Sequence, residues 1–158
     1  MQIDDPGEPI RAPVLALDLG SKHIGAAVSD ALSISINRLD IIPRSNWKQL
    51  LRDVEDLVRR FDAQTLVIGL PLQLNGSSGD AAHEALQTAQ KFARSLEVPV
   101  YLQDERLTSA EAEENLRADG IRPDKIGSRV DSEAAAVILR DFLVSDQERV
   151  RVSPHLSE

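Results

Sequence analysis

The sequence predicts a mixed-sheet α/β domain, and three observations carry that prediction. Two short apolar runs, VLALDL at 14–19 and IGAAVS at 24–29, flank a glycine-containing turn and read as a hairpin. Beyond them, short apolar runs alternate with stretches of helical period, the pattern of strands joined through helices. The 158 residues are enough for one domain with a sizeable core, and neither an internal repeat nor a low-complexity segment divides them.

Taken in order, residues 1–12 are expected to be a flexible leader, 13–143 the domain, and 144–158 a flexible C-terminal tail. The run at 14–17 is apolar throughout, as a strand buried on both faces requires. Residues 33–42 are rich in β-formers and stop at Pro43, which predicts a third strand. Ser45 or Asn46 can cap a helix in which Trp47, Leu50, Leu51, Val54, Leu57, Val58 and Phe61 recur at helical spacing. TLVIG at 65–69 is a buried fourth strand, followed by a small polar loop ending in NGSSG at 75–79. A helix is predicted over 80–96, with Ala82, Ala85, Leu86, Ala89, Phe92, Ala93 and Leu96 facing inward. The fifth strand is expected at 98–102. Thr108 and Glu111 form a capping box that opens a helix to about Ala118. Residues 119–128 carry Gly120, Pro123 and Gly127 and read as a flexible connection, so the last helix is expected to open near Asp131. Its AAAVIL run at 134–139 is apolar on nearly all sides, so this helix should pack deeply on the sheet.

Composition excludes several classes of function. Cysteine is absent, which removes disulfides and thiolate metal sites, and His23, His83 and His155 lack metal-ligand spacing. No apolar run approaches the roughly 20 residues that span a bilayer, and the acidic opening MQIDDPGEP is unlike a secretory signal. A cytoplasmic protein with no membrane partner is the expectation. The net charge of −8 argues against broad nonspecific nucleic-acid binding but leaves room for a local basic site.

Three acidic residues stand where the local pattern does not need acid. Asp18 ends the first strand, Glu105 follows the fifth, and Asp131 precedes the most buried helix. Ligands of open α/β sheets gather beyond the carboxyl ends of strands, so Asp18 and Glu105 can converge if their strands run parallel, with the last helix bringing Asp131 beside them. Carboxylates so placed repel unless cations neutralise them, and an oxygen-only set without cysteine suits Mg²⁺ or Mn²⁺. Two such ions about 4 Å apart activate water and stabilise a leaving oxygen in phosphodiester hydrolysis. Plainer roles also fit each residue. Asp18 can bond turn amides, Glu105 can pair with Arg106 or Lys22, and Asp131 can be a helix N-cap. The 75–79 loop can offer amides to a phosphate at a helix N-terminus, or simply connect a strand to a helix.

Four segments resemble a known family. LALDLGSKHIGAAVSD (15–30), VIGLPLQLNGSSG (67–79), DERLTSAEAE (104–113) and VDSEAAAVIL (130–139) occur in this order and are similar to the YqgF family, also called RuvX. The resemblance covers about residues 14–143. It implies an RNase H-like mixed five-stranded sheet flanked by helices and related to RuvC. It implies an Mg²⁺- or Mn²⁺-dependent nuclease acting in 5′-end maturation of precursor 16S rRNA, or a resolvase of Holliday junctions. The family's acidic site residues carry over onto Asp18, Glu105 and Asp131 as both catalytic groups and metal ligands. Lys22, Arg106, Asn75 and Gly76 are the candidates for substrate binding, ahead of Lys125 and Arg129, which can equally be solvated loop charges. His23 stands where many relatives carry arginine, which weakens a phosphate contact at that turn. The implied partners are structured RNA (precursor 16S rRNA and ribosomal particles) and branched DNA, with the chain a monomer or homodimer. Two other functions compete. An actin-like ATP-binding domain shares the turn after the first strand, but 158 residues leave no second half to close over nucleotide. A catalytically silent ribosome-assembly factor would not need the acidic trio.

Overall fold

The computed structural model describes residues 9–20, 22–71, 79–104, 123–144 and 149–153, with the helical backbone alone over 123–131. A mixed sheet forms the middle layer. Its strands are β1 (Val14–Leu19), β2 (His23–Ser29), β3 (Ile36–Arg38), β4 (Ile42–Pro43), β5 (Thr65–Leu70), β6 (Val100–Asp104) and β7 (Val150–Arg151). The spatial order is β3-β2-β1-β5-β6-β7, with β4 also pairing β2. β1 and β2 are antiparallel, as the expected hairpin requires, with Leu17 opposite Ala26 and Asp18 opposite Gly25. β5 lies parallel to β1, and β6 parallel to β5. The three therefore end on the same side of the sheet, which meets the condition set on Asp18 and the strand preceding Glu105.

Among the described residues, three helices cover the two faces. α1 (Trp47–Arg60) starts where Asn46 accepts the Gln49 amide at 2.9 Å, so Asn46 rather than Ser45 is the cap, worth about 1 kcal/mol. α1 and α2 (Asp80–Ser95) pack on one face, where Leu50, Val54, Ala89 and Phe92 meet Leu15, Leu17, Leu66 and Ile68. Trp47 and Phe92 lock the two helices together, their ring centroids 4.9 Å apart. On the opposite face Ala135, Ile138, Leu139 and Phe142 of α3 (Pro123–Val144) cover Val14, Ala16, Ala27 and Val67. Alternation along β1 thus divides Leu15 and Leu17 from Val14, Ala16 and Asp18, and sends Asp18 to the α3 face.

Several expectations need correction. The third strand is broken into β3 and β4, because both short pieces pair with β2 across the bend at 39–41. The fifth strand runs two residues later than expected, to Asp104. Leu86 is exposed rather than inward. The last helix opens at Pro123, not near Asp131. Proline fits the first helical turn, where its missing N–H costs nothing, and Gly127 is carried inside the helix. The region from 144 is not wholly a tail: β7 pairs with β6, and Val152 is buried. The end of the leader is tied down as well, since Ile10 and Ala12 pack against the α3 face and the Thr65 hydroxyl donates to the Arg11 carbonyl at 2.7 Å. The helix expected over 108–118 lies outside the described residues. Among the described residues, no helix is long and apolar enough to cross a membrane.

Candidate active site

Asp18 is the centre of the site. It is only 9% exposed, on a strand whose other inward residues are apolar. A carboxylate so placed must be met by donors or cations. The sheet leaves room for either. Gly25 lies directly opposite Asp18, and Gly69 follows Ile68, the partner of Leu17, on the other side. Neither glycine adds a side chain to the α3 face beside the carboxylate. Gly69 in turn pairs with the half-buried Gln103, whose place in the same row had no local signal in the sequence.

α3 is brought to this end of β1 by a definite set of bonds. The Ser132 hydroxyl donates to the Leu39 carbonyl at 2.8 Å, and the Leu39 amide donates to the Ala26 carbonyl at 2.9 Å. Ala26 is the register partner of Leu17, so Ser132 is stitched to the strand row next to Asp18. Its neighbour Glu133 is 3% exposed and is held by a two-pronged bond from Arg38 of β3, Nε to Oε2 and Nη2 to Oε1. The position of Asp131 immediately precedes Ser132 and falls one turn before Ala135, which packs on the sheet. Asp131 is therefore inside a helix, not its N-cap, which removes the plainest structural role for it.

Glu105 follows Asp104, the last residue of β6, and lies outside the described residues together with Arg106, Asn75 and Gly76. The structure accordingly locates Asp18 and the backbone position of Asp131, while Glu105 is located only by the strand that precedes it. Among the described residues no group of three His, Asp or Glu could hold a metal ion. The donor chemistry nonetheless suits a hard cation: Asp18 offers a buried carboxylate at the end of a strand, with glycine beside it.

The turn after Asp18 is held by a residue that sequence reasoning missed. The Gly20 amide donates to the Asp18 carbonyl at 3.1 Å, closing the end of β1. Arg44 then spans the turn from below β4. Its Nη1 donates to the Gly20 carbonyl at 2.6 Å, its backbone amide donates to the Lys22 carbonyl at 3.1 Å, and its Nη2 pairs with Glu84 of α2. Lys22 and His23 are exposed beside it, so two cations and a histidine edge this end of an acidic chain. No pattern around Arg44 betrays this role, because its partners come from the β1–β2 turn and from α2. Two surface grooves of about 440 and 520 Å³ lie elsewhere. One runs along the β3–β4 edge by Ile42 and Leu57, the other joins the C-terminal ends of α1 and α2, and neither is lined by Asp18.

Comparison with known proteins agrees with this arrangement. Residues 12–145 match the model of the family described as "RuvX: Holliday junction resolvase". A protein of Syntrophus aciditrophicus (strain SB), described as "Putative pre-16S rRNA nuclease", is 36% identical over 87% of this chain and 92% of its own length. One of Anaeromyxobacter sp. (strain Fw109-5), with the same description, is 40% identical over 82% of this chain and 94% of its own. Among solved structures, T. thermophilus RuvC in complex with Holliday junction substrate superposes with a TM-score of 0.55 at 18% identity, covering 87% of this chain and 98% of that one. At that identity the likeness is one of fold, and it bears out the RuvC-related, RNase H-like sheet. The family match over most of the domain, with relatives of this similarity, means that the chain belongs to the RuvX family.

Proposed function

We propose that the chain is a cytoplasmic, divalent-metal-dependent endonuclease that hydrolyses phosphodiester bonds in the 5′-end maturation of precursor 16S rRNA. The observation that carries this reading is Asp18, a buried carboxylate at the carboxyl end of β1 with glycine beside it and α3 stitched to the neighbouring row. Asp18, Glu105 and Asp131 would hold Mg²⁺ or Mn²⁺, which when bound supplies an activated water and neutralises charge on the leaving oxygen. The relatives' names support precursor 16S rRNA as the substrate.

The rest of the chemistry belongs to the chain. The hydrogen-bonded end of β1 fixes the backbone that carries Asp18 before substrate arrives. Lys22 and Arg106 attract the flanking phosphates, and the Asn75–Gly76 loop guides the strand. Glu105 and Asp131 complete the acidic set only if all three sit within reach of one phosphate.

A cleavage assay in Mg²⁺ or Mn²⁺ tests the reading, with precursor 16S fragments free and in ribosomal particles, and a four-way DNA junction alongside. The expected result is cleavage of the RNA by wild type and at least a thousandfold loss in Asp18→Asn, with an unchanged melting temperature. Equal turnover by the two proteins would sink the assignment. Cleavage of the junction alone would favour the resolvase reading, which the family description supports and which calls for a symmetric dimer.

A further inference from the structure

Arg44 offers more than a clasp on a turn. Its guanidinium has two ends with different surroundings. Nη1 is anchored on the Gly20 carbonyl at 2.6 Å, two residues from Asp18. Nη2 faces Glu84, whose side chain is 60% exposed, while that of Arg44 is 28% exposed. Ion pairs this open contribute little, because water and salt screen them and two long side chains must be ordered to make them. A phosphate presents the same two-oxygen edge as a carboxylate and binds a guanidinium in the same planar geometry. An anion arriving at this end of the sheet on its α2 side can therefore take the place of Glu84 at little cost. Arg44 would not have to move, because its other arm stays on Gly20.

Charge argues in the same direction. With a net charge of −8, the chain needs local cations to draw in a polyanion, and the described cations at this end are Lys22 and Arg44. Of these, Arg44 is the one whose side chain is already oriented by a bond to the turn that follows Asp18. Glu84 then has a definite role. It is a stand-in for substrate, keeping the guanidinium aimed and excluding weaker anions.

We infer that Arg44 binds a phosphate of the substrate strand at the turn that follows Asp18, on the α2 side of the sheet, and that Glu84 occupies this phosphate site until the nucleic acid displaces it. The inference rests on the nuclease reading for its substrate, but it is tested by binding and not by turnover. A fluorescein-labelled single-stranded RNA is titrated with the full chain in EDTA, over about 50 to 200 mM salt, by anisotropy. Arg44→Ala should weaken binding about tenfold at the low end and reduce the slope of log Kd against log salt by about 0.7, the share of one phosphate on a single strand. Arg44→Lys should recover part of the affinity. Glu84→Gln should act in the opposite sense and tighten binding, because the competing anion is gone.

That opposition separates binding from support of the turn. A purely structural Arg44 predicts a lower melting temperature, an unchanged salt slope, and no gain from Glu84→Gln. Any of those last two results overturns the inference, as does a wild type that binds no RNA at 50 mM salt. If Arg44→Ala does not fold, Glu84→Gln decides alone: tighter binding supports the site, and unchanged or weaker binding overturns it. Failure of the nuclease reading would show separately, as equal cleavage by wild type and Asp18→Asn.

Discussion

Asp18 and Asp30 mark opposite ends of the β1–β2 hairpin and show two uses of one side chain. Asp18 is enclosed on the α3 face of the sheet, whereas Asp30 organises the loop beyond β2. The Asp30 carboxylate accepts from the amides of Ile34 at 2.7 Å and Ser35 at 3.2 Å, and the loop closes with the Asp30 amide on the Ser35 carbonyl. Ser33 takes a left-handed conformation to make the turn, with φ of 57°. The Ile34 amide, above all, holds the Asp30 carboxyl below the ordinary carboxylate range. A depressed folded value means that the charge contributes stability above the unfolded value of about 3.9, and that this contribution is lost as pH falls through the folded value. Asp30→Asn keeps an acceptor but removes the charge. Its melting temperature should lie below that of wild type at pH 7, and the gap should close as the pH is lowered from about 4 through the depressed folded value. A gap that stays constant over that range would remove the charge from the account. Asp18 was legible because an acid inside an apolar strand has no local reason to be there. The pairing of Arg44 with Gly20 and Glu84 was not, since nothing nearby in sequence demands it.

At the scale of elements, strands and helices with a clear period were legible, and elements defined by tertiary pairing were not. β1, β2, β5, α1 and α2 stand close to where alternation and helical spacing put them. β7 is two residues long and exists only because β6 offers an edge. The start of α3 was obscured by Gly127 and by a run of polar residues, both of which resemble a loop until the rest of the helix is docked. That docking depends on the Arg38–Glu133 pair, with Glu133 almost wholly buried and Arg38 half in solvent. A lone acid in the apolar run SEAAAVIL was the available signal, because a buried carboxylate needs a cation. Arg38→Ala leaves that carboxylate without its fork. It should cost about 2 kcal/mol in urea unfolding, less than a fully enclosed pair because solvent reaches one partner. The double variant Arg38→Met with Glu133→Met should recover most of the loss, since two apolar groups need no partner. A double variant less stable than Arg38→Ala would show that the pair is not what seats α3.

Across the whole molecule, charge limits how nucleic acid can be held. A chain with 26 acidic and 18 basic residues has no surplus for a broad basic face, so its grip must come from a few cations at the carboxyl end of the sheet. Lys22 and Arg44 edge that end, and Arg106 is the further candidate. Three phosphate contacts on a single strand give a slope of log KM against log salt of about 2, so KM should rise roughly 16-fold between 50 and 200 mM salt. Repulsion from the remaining carboxylates adds to the weakness of binding without adding contacts. Cleavage of naked precursor RNA at several salt concentrations measures this directly. A slope above about 5, or tight binding that survives high salt, would require a basic surface that this composition does not supply. A modest slope with weak binding instead makes the ribosomal particle part of the recognition. The precursor is then presented by its own assembly, and the same RNA should be cleaved at lower enzyme concentration inside the particle than free in solution.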